Sequence, residues 1–123
     1  MANFDKFVVY GETTDFNENG SLKNANGYPT IIMIGAPWCG HCKNLKPIFG
    51  ECGERLAGRV RCMTLQESGE APSNTQACGM ISKLINLRGY PTLLKLDANG
   101  NIVGEFQGQR TAEAICQWAT QNQ

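Results

Sequence analysis

Two cysteines stand two residues apart in the run Trp38-Cys39-Gly40-His41-Cys42-Lys43, directly after a stretch of apolar residues. That spacing lets the two sulfurs close on each other. At the start of a helix, the first sulfur sits beside free amides and the positive end of the helix dipole, so Cys39 is expected to be acidic. Its thiolate would attack a disulfide to form a mixed disulfide, and Cys42, one turn on and more buried, would attack Cys39 and release the product. His41 lies between them. A protonated or hydrogen-bonding imidazole there stabilises the thiolate, and with it the reduced pair, which makes the disulfide form more oxidising. Half a zinc site is the competing reading of this spacing, but no second Cys-x-x-Cys or His-x-His follows, and the only histidine lies inside the motif. A purely structural disulfide would be strained here and unneeded at a helix start. The expectation is a redox-active dithiol working without a metal or an organic cofactor.

The surrounding elements must supply that helix start. Thr30 to Ala36 is a continuous β-branched and apolar run, the mark of a strand buried on both faces. From Cys39, the residues Cys42, Leu45, Ile48, Phe49, Cys52 and Leu56 follow a helical spacing, with Pro47 predicting a kink. Phe4 to Tyr10 reads as a short strand, and residues 11 to 29 as loop with at most one helical turn. Val60 to Leu65 reads as a second buried strand and Gln66 to Asn74 as an exposed loop. Ala77, Met80, Ile81, Leu84 and Ile85 form the stripe of an amphipathic helix stopped by Gly89. Thr92 to Leu96 and Ile102 to Phe106 flank Asn99-Gly100, a hairpin signal. A last helix starts at the N-cap Thr111, with Glu113 near its positive end and Ala112, Ile115, Cys116 and Ala119 on its buried face. The order β, loop, β, α, β, α, β, β, α requires an α/β fold with a mixed β-sheet flanked by helices on both faces.

Size and charge narrow the function. The 123 residues suit one domain over residues 1–123 with its own core. About 41% of residues are hydrophobic and 18% charged, an ordinary globular balance. Eleven basic and eleven acidic residues cancel, and no basic run occurs, which argues against nucleic acid and anionic membrane as partners. The apolar run Ile31-Ile32-Met33-Ile34 falls far short of the ~20 residues that span a bilayer. The N-terminus carries no basic segment followed by an apolar one, and the last four residues, Thr-Gln-Asn-Gln, are no retention signal. The cytoplasm is thus the default address, with a secretory-pathway origin left open by the six cysteines.

Ala36-Pro37-Trp38-Cys39-Gly40-His41-Cys42-Lys43-Asn44-Leu45-Lys46-Pro47 resembles the active-site run of the catalytic domains of protein disulfide isomerase. The match is closer than to thioredoxin, whose motif has Pro between Gly and Cys. Gly89-Tyr90-Pro91-Thr92 is similar to the cis-proline loop of these proteins, and Phe106 to Thr111 to the arginine-bearing stretch before their last helix. The resemblance implies a three-layer thioredoxin-like fold. It also implies that Pro91 is cis and lies against the dithiol, that the Tyr90 backbone pairs with an extended substrate, and that Trp38 and Gly40 shape the docking surface. Arg110 would approach Cys42 and lower its pKa. Trp38 as a packing residue and Arg110 as a solvated surface charge are the alternatives. Where the family carries a buried Glu or Asp that relays the Cys42 proton, this chain has Met33, an ordinary core residue.

Of the four other cysteines, Cys52 and Cys116 fall on apolar stripes as buried, inert thiols. A Cys62–Cys78 bridge is one of the open pairings. The function that fits is a thiol-disulfide oxidoreductase acting as a monomer on disulfide-bearing or dithiol proteins, recharged by a reductase or oxidase partner. The alternatives are a thioredoxin-like general reductase, separated by reduction potential, and a redox-poor client-binding or chaperone module, separated by turnover.

Overall fold

The structure is a computed structural model that describes residues 4–121. The outermost residues 1–3 and 122–123, part of the terminal stretches read above for address signals, lie outside the described residues. Its elements are α1 (Phe4–Phe7), β1 (Val9–Tyr10), a 3-10 turn (Thr13–Asp15), β2 (Thr30–Gly35), α2 (Gly40–Leu56), β3 (Arg61–Gln66), α3 (Pro72–Leu84), β4 (Thr92–Leu96), β5 (Ile102–Glu105) and α4 (Ala112–Thr120).

The five strands lie in the order β1-β3-β2-β4-β5. β3 runs parallel to both β1 and β2, whereas β4 is antiparallel to β2 and to β5, so the sheet is mixed. Every residue of β2 is buried, because it is the central strand and both its faces are covered. Successive side chains point to opposite faces, and the strand divides its residues accordingly. Ile31 and Met33 join Leu45, Phe49, Cys62, Leu93 and Ile115 in a core under α2 and α4. Ile32 and Ile34 join Met63, Leu65, Ala77, Ile81 and Leu96 in a second core under α3. These are the three layers of a thioredoxin-like α/β fold.

Four local readings need correction. Residues 4–7 form a helix rather than the start of a strand, and only Val9–Tyr10 pair with β3. Phe4 and Phe7 are used against α2: an added Cβ on Gly50 would lie 3.0 Å from Phe4 Cα, and one on Gly53 would lie 2.7 Å from Phe7 O. Gln66 to Asn74 is not all loop. β3 runs through Gln66, Pro72 opens α3, and Asn74 is buried. α3 ends before Gly89, where Asn86 takes a left-handed φ of 56° and the Leu87 amide bonds back to Ser82 O at 2.9 Å. Finally, Cys62 and Cys78 belong to cores on opposite sides of the sheet, which rules out their bridge; all six cysteines are free.

Candidate functional site

β2 delivers the chain to the carboxyl end of the parallel strands, and α2 begins immediately after Cys39. Cys39 has extended backbone geometry and acts as the N-cap of α2: its Sγ accepts the Cys42 amide at 3.3 Å. A sulfur in the cap position takes over the role usually played by a Ser or Asp oxygen, and a thiolate takes it better than a thiol. The Cys39 thiol is accordingly held below the ordinary thiol range. The hydrogen bond from the Cys42 side chain is the main cause, burial opposes it, and the backbone amides of Cys42 and His41 and the Arg110 charge add to it. Cys42, one turn on, moves the other way and is pushed up to about 11, first by burial and then by its hydrogen bond to Cys39. The pair is thus split into an acidic outer thiol and a reluctant inner one.

The remaining candidates surround this pair. The Tyr90–Pro91 peptide is cis, and the Cys39 thiol faces Tyr90 O at 3.7 Å. Trp38 is 65% exposed, which sets aside its reading as a core-packing residue. Its indole donates to Glu67 Oε1 at 3.1 Å, and its ring meets the Tyr90 ring edge-on at 5.8 Å. Around Gly40 there is open space, since an added Cβ would meet nothing within 4 Å. Arg110, exposed at the surface, donates to Pro91 O at 3.4 Å, and its charge favours both thiolates weakly, less than any other neighbour does. His41 is exposed, and its influence on Cys39 comes through its main-chain amide.

Behind Cys42 the sequence reading missed several participants. Met33 is buried, and a Cβ built on Gly35 would lie 3.4 Å from Met33 Cε, 3.4 Å from Cys42 Sγ and 3.5 Å from Gln66 Nε2, so these three side chains converge on one point. Gln66 donates to Thr64 Oγ1 at 2.9 Å, which in turn donates to Met33 O at 2.9 Å. A cleft of about 520 Å³ opens beside them, bounded by Tyr10, Met33, Cys42, Lys46, Gln66 and Glu70 among others. Asn74 donates to Gly11 O at 2.6 Å and Thr64 O at 3.1 Å and accepts from the Gln66 main-chain amide at 3.1 Å. No periodicity marks Gln66, Glu67 or Asn74, because each acts through a partner on another element. Among the described residues, no group of three or more His, Cys, Asp or Glu side chains is arranged to hold a metal ion.

The family model described as Thioredoxin matches residues 7–121. The chain is 34% identical over 93 residues to a protein disulfide-isomerase A6 homolog of Drosophila melanogaster, covering 73% of this chain and 20% of that protein. It is 38% identical over 90 residues to protein disulfide-isomerase A2 of Mus musculus, covering 72% of this chain and 16% of that one. The chain therefore spans a fifth or less of these relatives. Among solved structures, the J-Trx1 fragment of ERdj5 superposes with a TM-score of 0.72 at 20% identity, covering 95% of this chain and 52% of that one. The first thioredoxin domain of mouse protein disulfide-isomerase A4 does so at 0.62 and 24% identity, covering 78% and 64%.

Proposed function

The chain belongs to the thioredoxin family, and from that premise we propose that it is a thiol-disulfide oxidoreductase that exchanges protein disulfides through Cys39 and Cys42, in the manner of the protein disulfide isomerases it is similar to. The observation that carries this reading is the 3.3 Å hydrogen bond from the Cys42 amide to Cys39 Sγ, which favours a thiolate at the helix start.

In the reducing direction, the Cys39 thiolate attacks one sulfur of a substrate disulfide. The new S–S bond forms as the old one breaks, and the departing substrate thiolate takes a proton from solvent. Cys42 then gives up its proton and attacks Cys39 Sγ, releasing the second substrate thiol and leaving a Cys39–Cys42 disulfide. The oxidising direction is the reverse. An extended substrate segment lies along Tyr90 and Pro91, over the surface formed by Trp38 and Gly40. His41 tunes Cys39, and Arg110 eases ionisation of Cys42. No organic cofactor or metal takes part. A reductase or oxidase partner resets the pair, and residues 1–123 act as one monomeric domain.

The test is reduction of a model protein disulfide. Cys39→Ser is expected to abolish it, and Cys42→Ser to accumulate mixed disulfides that reductant removes on a gel; activity surviving Cys39→Ser would overturn the mechanism. One observation favours a second reading, a client-binding module that turns over slowly: Met33 is buried in the same core as a Cys42 pushed up to about 11. Client binding that persists while turnover is negligible would select it.

A further inference from the structure

Away from the Cys39–Cys42 pair, three further cysteines converge between α2, β3 and α4. Cys52 on α2 and Cys62 on β3 are buried in one core, and the half-buried Cys116 of α4 packs against it. The Cys52 thiol donates to the main-chain oxygen of Ala112 at 3.4 Å. Ala112 and Cys116 stand four residues apart on α4 and so share a face, which brings Cys116 over the same sulfur. Cys116 and Cys62 both stand near enough to Cys52 to act, after burial, on the ionisation of its thiol.

We propose that Cys52 and Cys116 form a second redox pair, oxidised by small hydroperoxides to a disulfide that clasps α4 to α2. Cys116 is the point of entry, because it alone of the three reaches the surface. Its thiolate attacks a peroxide oxygen, an S–O bond forms as the O–O bond breaks, and water or an alcohol departs with the thiol's proton. Cys52 Sγ then attacks the Cys116 sulfenic acid. The S–S bond forms as the S–O bond breaks, and hydroxide leaves with the Cys52 proton as water, so two thiols have passed two electrons to one peroxide. Burial pushes the Cys52 thiol up strongly and the Cys62 thiol to about 12, so neither meets an oxidant first as a thiolate. The pair sits about 15 Å along α2 from Cys42 and does not depend on the exchange reaction proposed above. A link between segments so distant in sequence restricts the unfolded chain, so the clasped form should resist unfolding.

The experiment treats the full chain with hydrogen peroxide, blocks remaining thiols under denaturing conditions, and maps the peptides without reduction by mass spectrometry. The expected product is a peptide pair joined through Cys52 and Cys116, lighter by two hydrogens and separated again by dithiothreitol. The denaturant midpoint should rise on oxidation, and the rise should vanish in Cys116→Ala, a half-buried site that spares the core, but survive in Cys62→Ala. The proposal is overturned if Cys116 is joined to Cys62, if it ends as a sulfinic acid with Cys52 still free, or if it remains a thiol once Cys39 and Cys42 are fully oxidised.

Discussion

Replacement of Met33 by Glu tests how Cys42 loses its proton. Met33 and Cys42 lie in the same core, and both come within 3.4 Å of a Cβ placed on Gly35, so a carboxylate at position 33 would stand beside the Cys42 sulfur. Burial is the leading cause that pushes Cys42 to about 11; the contribution of the Cys39 thiolate disappears once Cys39 is tied up in a mixed disulfide, whereas burial persists. At a pKa near 11, roughly one molecule in ten thousand carries the Cys42 thiolate at pH 7, and the population grows about tenfold per pH unit below that pKa. Release of substrate from Cys39 should therefore accelerate about tenfold per unit between about pH 7 and 9 in the wild type. Met33→Glu should flatten this slope by supplying a proton acceptor, and Met33→Gln, polar but unable to accept the proton in that range, should not. A carboxylate in the buried strand costs a few kcal/mol, so folding is checked first by circular dichroism. The assay is stopped-flow release from a preformed Cys39 mixed disulfide. A wild-type rate that is already fast and nearly flat over that range would refute the reasoning and leave Arg110 as the group that activates Cys42.

His41→Pro should raise the Cys39 pKa and make the potential more reducing by tens of millivolts, since a contact of about 1 kcal/mol corresponds to roughly 20–30 mV. Proline is tolerated in the first helical turn but removes the amide that acts on Cys39, whereas His41→Ala keeps that amide, so titration of both against glutathione separates the main-chain from the imidazole contribution. Asn74→Ala strands the carbonyls of Gly11 and Thr64 and the Gln66 amide, and should destabilise the protein by about 2–4 kcal/mol in urea unfolding; an effect near zero would show that water replaces the side chain. Gly53→Ala places a Cβ 2.7 Å from Phe7 O, so α1 must shift, at about 1–3 kcal/mol by the same measurement.

Local chemistry alone places Cys39 and Cys42 at a strand-to-helix junction and marks the hairpin and the last helix. Each rests on neighbours within a few residues. The apolar run of β2 has to be covered on both faces wherever it lies, Asn99-Gly100 supplies the turn, with Gly100 at a φ of 89°, and Thr111 caps α4 by accepting the Ala114 amide at 3.1 Å. Only the tertiary structure decided the rest. Phe4 to Phe7 is helical where the Phe4 ring packs on Phe49 of α2 and the Phe7 backbone closes on Gly53, and a polar Asn74 is buried because main-chain groups from Gly11, Thr64 and Gln66 meet there. The fate of the extra cysteines turned on which face of the sheet each one occupies: Cys62 and Cys78 are divided by it, while Cys52 and Cys116, far apart in the chain, are brought together by the packing of α2 on α4. Periodicity tells which side of its own element a residue takes, but the partner across a core is set by how elements distant in sequence stack, and no local pattern carries that information.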